Sequence, residues 1–181
     1  MDKIINNAIS DILSKNKDLL RIPIRQKAKF EGWLKFELAH YLDKIGMESI
    51  EVESKVYYRR DRIDITFMHN EHFYSVELKT PNTNWKINGV NDSGRPITKN
   101  IQSVIDDAKK LNSTQGIVAF VLFPIPIGDN RWIDYIDRIA NMTGISINRE
   151  TNCKLIKLKV DKSNQCQMLV CTFMSKKFRD W

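Results

Sequence analysis

The chain has 181 residues, 42% hydrophobic and 28% charged, with a formal net charge of +7 and an isoelectric point near 9.3. That length supports one domain with a real core, and the composition excludes collagen-like, low-complexity and solenoid chains. No apolar run approaches the ~20 residues that span a bilayer, and Met1 to Asn7 lacks the apolar stretch of a secretory signal, so a cytoplasmic protein without a membrane partner is expected. The positive charge permits a polyanion partner without establishing one. The three cysteines, Cys153, Cys166 and Cys171, are odd in number and lie in apolar surroundings, which predicts buried reduced thiols. His40, His69 and His72 show no zinc-site spacing with them, so any metal should be held by oxygen.

Taken in chain order, residues 2–20 carry Ile4, Ile5, Ala8, Ile9, Ile12, Leu13 and Leu19 at helical spacing, and Pro23 ends or interrupts that helix. A second helix is predicted from about Arg25 to Ile45, with Gly46 as its stop. Three strands should follow: Ile50 to Tyr58, Arg62 to Phe67, and Phe73 to Thr80, closed by Pro81. Residues 82–97 are polar and read as a long loop. Thr98 can cap a helix running to about Leu111. Gly116 to Ile125 is continuously apolar, as in a strand buried on both faces. Arg131 to Met142 reads as an amphipathic helix, and Lys154 to Val160 with Gln167 to Phe173 as a C-terminal hairpin. The order ααβββαβαββ predicts an α/β (α+β) fold with a central mixed sheet flanked by helices on both sides, in one domain over 1–181.

Chemistry concentrates on Asp64 and the Glu77-Leu78-Lys79 triplet, separated by twelve residues that read as two strands and a turn. If Asp64 lies opposite Glu77, then Ile63 faces Leu78, Ile65 faces Val76 and Phe67 faces Tyr74, all apolar pairs on the core face. Slipping by two pairs Phe67 with His72, and slipping by one turns polar side chains inward. The favoured register therefore places Asp64, Glu77 and Lys79 on one face. Two carboxylates about 4 Å apart repel by ~4 kcal/mol at an effective dielectric near 20, and a bound hard cation such as Mg²⁺, with Mn²⁺ as substitute, relieves that repulsion. The same cation would grip a phosphate and lower the pKa of a bound water, while Lys79 orients that water. The competing reading of Glu77 and Lys79 is a solvated strand face.

This pattern resembles the PD-(D/E)XK nuclease superfamily, with its restriction-endonuclease-like core of helix, strand, Asp-bearing strand, Glu-x-Lys strand, helix and strand. The core would span about residues 25–125, with the N-terminal helix 2–20 and the segment 130–175 as additions. The resemblance implies a Mg-dependent endonuclease that hydrolyses DNA, RNA not being excluded, of restriction, defence or repair type. Asp64 and Glu77 would be the metal ligands and Lys79 the catalytic lysine. A further glutamate is expected from the preceding helix; Glu31 and Glu37 both flank its apolar stripe, and Glu31, nearer the helix start, is preferred. The superfamily's proline before the aspartate is Ile63 here.

Arg60, Arg62, Arg95 and Lys99 are candidate phosphate contacts, Trp85 and Lys86 candidate stacking and gripping residues in the loop, and Gln102 a candidate contact to substrate. For the arginines a solvated turn is the competing reading. A chain this short would need a homodimer or a separate specificity subunit to cut both strands of a duplex. The alternatives are a non-catalytic nucleic-acid-binding or assembly module on the same fold, and a partner-binding protein without a nucleic-acid role.

Overall fold

The computed structural model describes residues 1–55, 62–92, 96–111 and 115–175. Arg60, Arg95, the end of the first predicted strand and Trp181 lie outside the described residues. The elements are α1 (Asp2–Lys15), α2 (Lys17–Gln26), α3 (Glu31–Lys44), β1 (Glu48–Lys55), β2 (Arg62–His69), β3 (His72–Lys79), α4 (Ile97–Lys110), β4 (Gln115–Ile125), α5 (Trp132–Thr143), the single turn α6 (Arg149–Asn152), β5 (Cys153–Lys159) and β6 (Gln165–Met174).

The N-terminal helix does not run unbroken to residue 20. It stops at Asn16 (φ −109°, ψ 27°), whose side chain donates to the Ile12 carbonyl at 2.9 Å. An asparagine that satisfies a carbonyl one turn back competes with continuation of the helix. Pro23 is accommodated inside α2, where it removes the donor that would reach the carbonyl of Leu19, a residue half exposed to solvent. That helix ends instead at Lys27, in the left-handed region at φ 49°. Arg25 and Gln26 therefore belong to α2, and the next helix starts only at Glu31. Gly46, at φ 83°, stops α3 as its sequence suggests. α4 begins at Ile97 rather than with a Thr98 cap; Pro96, with extended backbone at φ −51° and ψ 128°, stands at its N-cap and no side chain caps it.

One six-stranded sheet runs in the order β1-β2-β3-β4-β6-β5. β1, β2 and β3 form an antiparallel meander, β3 pairs with β4 in parallel, and β6 joins β4 and β5 antiparallel. α4 supplies the crossover that a parallel β3–β4 pair requires. β4 is buried along almost its whole length, because helices pack on both faces of the sheet. Ile65, Phe67, Val76, Leu78, Ala119 and Val121 pack beneath α1, α2 and α3 through Ile9, Leu13, Ile24, Leu34 and Leu38. Val118, Phe120, Leu122 and Phe173 pack beneath α4 and α5 through Ile101, Val104, Ile105, Trp132 and Ile136. The result is a mixed sheet between two helical layers.

The β2–β3 register is the one that apolar pairing selects: Ile65 opposes Val76 and Phe67 opposes Tyr74, with their rings stacked 5.4 Å apart. The three thiols are free; Cys166 and Cys171 are buried and Cys153 is half-buried. Among the described residues no helix is long and apolar enough to cross a membrane.

Candidate active site

Because Ile65, Phe67, Val76 and Leu78 point into the first core, strand alternation turns Asp64, Glu77 and Lys79 to the opposite face. At Asp64 the ladder gives way to a side-chain bond: the Leu78 N–H donates to Asp64 Oδ2 at 2.8 Å. The hairpin's backbone thus fixes the carboxylate directly. Lys35 Nζ, from α3, lies 2.9 Å from Asp64 Oδ1 and donates to Glu53 Oε1 at 3.0 Å. Burial alone would raise the Asp64 carboxyl, but the Leu78 N–H and the Lys35 and Lys79 ammoniums outweigh it and hold it below its ordinary value.

Glu77 is only 3% exposed, so it is not part of a solvated strand face. Lys110 Nζ, from the end of α4, donates to Glu77 Oε1 at 2.6 Å and to the Arg62 carbonyl at 2.9 Å. Burial nevertheless prevails, and with Asp64 and Asp107 nearby it pushes the Glu77 carboxyl up to about 7.

Lys79 stands between carboxylates, with Asp107 Oδ2 at 3.4 Å and Glu31 Oε1 at 3.8 Å. Burial opposes its charge, but Asp107, Glu31, Asp64 and Glu77 together raise its pKa above the usual lysine value. Lys79 is therefore a permanent cation at neutral pH. Asp107 is itself raised by burial, against the opposing pull of the Lys79 ammonium that faces its Oδ2.

Of the two helix carboxylates, the structure brings Glu31 to the cluster. It is the first residue of α3, and its Oε2 accepts the Thr80 N–H at 3.2 Å. Glu37 sits six residues further on, about 9 Å along the axis at 1.5 Å per residue; among the described residues no hydrogen bond or ion pair joins it to the cluster.

The candidate nucleic-acid contacts are dispersed. Arg62 borders the site, where it pairs with Glu53 Oε2 at 2.9 Å. Gln102 is one turn before Asp106, to which it donates at 3.0 Å, and Lys99 is exposed near the start of α4. Trp85 is not a loop residue available for stacking. It is 5% exposed in the second core, with the Arg131 guanidinium 4.4 Å from its ring centroid and its backbone N–H donating to Thr83 Oγ1. The long loop is held down by side-chain and backbone bonds, so an apolar ring within it packs inward.

Sequence reasoning missed three members of the cluster, Lys35, Glu53 and Lys110, and assigned no role to Asp107. One signal existed for Lys35: it falls within the stripe of Leu34, Leu38 and Leu42, where a lysine needs a buried partner. Nothing local marks Lys110, which meets Glu77 across 33 residues. Among the described residues no three His, Cys, Asp or Glu side chains stand close enough together to hold a metal ion. The two central carboxylates are instead engaged by ammonium groups from two helices.

No family model, no curated protein and no solved structure matches the chain.

Proposed function

We propose that the chain is a divalent-cation-dependent phosphodiesterase that hydrolyses DNA, built on a restriction-endonuclease-like core. The observation that carries this reading is Glu77: a carboxylate 3% exposed, beside a second carboxylate and a lysine, where packing alone would favour an apolar side chain. The donor set suits Mg²⁺ or Mn²⁺, since Asp64, Glu77 and Glu31 offer only hard oxygens and Glu77 is a buried carboxylate. Asp64 and Glu77 would hold the ion, with Glu31 joining them only if the three carboxylates draw closer than they stand here; the ion would supply polarisation of the phosphoryl group and a more acidic bound water.

The chain's own residues account for the rest. Lys79, protonated throughout the neutral range, donates to a phosphoryl oxygen and to the attacking water, and offsets the charge that develops in the transition state. Glu31 and Asp107 hold its ammonium from two sides. Lys35 fixes Asp64 and Lys110 fixes Glu77. One P–O bond forms to water and one to the leaving oxygen breaks, with no covalent intermediate on the protein. Net charge of +7 favours the polyanionic substrate. One site per chain implies a homodimer, or a second subunit, for cutting both strands of a duplex.

The second reading, a non-catalytic nucleic-acid-binding module, is favoured by the engagement of both carboxylates with Lys35 and Lys110. Incubation of the protein with supercoiled, linear and single-stranded DNA and with RNA, in Mg²⁺ or EDTA, separates the two. The nuclease reading expects Mg²⁺-dependent cleavage that folded Asp64→Ala, Glu77→Ala and Lys79→Ala proteins lose. Cleavage that these variants retain, or that proceeds in EDTA, would sink it.

A further inference from the structure

We infer that a basic pocket at the β5 edge of the sheet is a second binding site for a nucleic-acid phosphodiester backbone, remote from the carboxylate cluster but at the same end of the sheet. The pocket has a volume of about 400 Å³ and is lined by Lys17, Asp18 and Arg21 of α2, Lys157 and Lys159 of β5, and Gln165 of β6. Asp18 is committed to Arg21 at 3.2 Å. Among the described residues no ion pair joins Lys17, Lys157 or Lys159 to an acid. Four cations against one carboxylate leave an excess of three positive charges around a single pocket.

Its position follows from the register. Lys79 lies level with Phe120 on β4, and further along that strand Ile125 lies level with Gln167 of β6, which pairs with Lys157. The pocket therefore opens beyond the same strand ends as Lys79 and Thr80. It lies three strands across, at about 4.8 Å each, and five residues along, at about 3.3 Å each, or roughly 22 Å away. That distance is the rise of about six nucleotides at 3.4 Å per step. A strand whose scissile phosphate sat at Lys79 would reach the pocket well within an ordinary oligonucleotide.

Charge complementarity selects the occupant. Exposed lysines on flexible stems are point charges without a fixed fork geometry, suited to tracking a polyanion through counterion release rather than to caging one small anion. β5 is also one of the two edge strands of the sheet, where alternate outward lysines discourage pairing with another strand; that role explains Lys157 and Lys159 but not Lys17 and Arg21 of α2, which line the same pocket.

The inference rests on the nucleic-acid substrate proposed above but not on catalysis, so it is tested in EDTA. Binding of labelled single-stranded DNA of about 20 nucleotides is followed by fluorescence anisotropy across a salt series. The full chain is compared with Lys17→Ala/Arg21→Ala/Lys157→Ala/Lys159→Ala. Four lost phosphate contacts lower the slope of log K against log salt by about 3 and weaken binding at least about tenfold at low salt. Lys3→Ala/Lys44→Ala, which alters exposed lysines elsewhere, leaves the slope in place, and thermal melts verify that both variants fold. An unchanged slope in the pocket variant overturns the inference, as does an equal loss of binding to polyglutamate, which would make the pocket a site for acidic protein. Cleavage with an unchanged slope leaves the nuclease reading standing and removes this one. Pocket-dependent binding without cleavage does the reverse.

Discussion

Glu77 gives the sharpest test of the electrostatics. Its carboxyl is raised from 4.5 to about 7, with burial the largest cause. Between those values the folded chain holds a proton that the unfolded chain has released. The contribution of Glu77 to stability is therefore greatest below pH 4.5, falls as pH rises through this window, and is lowest above 7. At 1.36 kcal/mol for each tenfold change, the full displacement corresponds to about 3 kcal/mol. Some of it is already lost at pH 5, so the part expressed between pH 5 and pH 9 is about 2.5 kcal/mol.

Glu77→Gln keeps the shape and an acceptor for Lys110 but abolishes the titration. Thermal and urea unfolding of both proteins in EDTA should show the variant gaining on the wild type as pH rises. The gap should widen by about 2.5 kcal/mol from pH 5 to pH 9, or about 5–10 °C in Tm for a domain of this size. A gap that stays constant with pH, or narrows, would show that Glu77 ionises normally and that Lys110 fully offsets its burial. If the proposed function holds, a gain in stability on removing Glu77 is the trade expected at an active site.

Lys35→Met deletes the ammonium that Asp64 and Glu53 share and should cost about 3 kcal/mol in urea melts at pH 7. Asp64 is held below its ordinary value of 3.8, so the stability that Lys35 contributes is present above that pH and lost below it; a penalty undiminished at pH 3 would assign it to the lysine's packing instead. Trp85→Ala should cost about 3–4 kcal/mol by opening the second core, whereas Trp85→Phe should fold and leave the DNA binding of the proposed function unchanged. A folded Trp85→Phe protein with impaired DNA binding would restore a stacking role to that ring.

What could be read from the sequence is what neighbouring residues decide. The β2–β3 register follows from apolar pairing on one face, of which Ile65–Val76 and Phe67–Tyr74 stand in the ladder, and the buried strand at Gln115–Ile125 from an unbroken apolar run. Helix boundaries were harder, because the break at Asn16 and the left-handed turn at Lys27 depend on single side-chain and backbone bonds that periodicity does not encode. The inward packing of Trp85 depends on Arg131 and Tyr135, nearly fifty residues away.

The same division runs through the candidate site. Strand alternation alone places Asp64, Glu77 and Lys79 together, and from them a bound cation looks necessary to relieve two like charges. The folded chain answers that repulsion differently. Lys35 reaches Asp64 from the helical layer over one face of the sheet, and Lys110 reaches Glu77 from the layer over the other. Glu31 and Asp107 close on Lys79 from the same two layers. Each carboxylate at the strand ends thus has a counter-charge on a helix, and each such pair spans a long stretch of sequence. The cluster is the seam where both helical layers meet the sheet. A divalent ion entering it would compete with resident ammonium groups rather than fill an unopposed pair of charges. The interaction that decides this competition, Lys110 on Glu77, is also the one that no local pattern in the chain discloses.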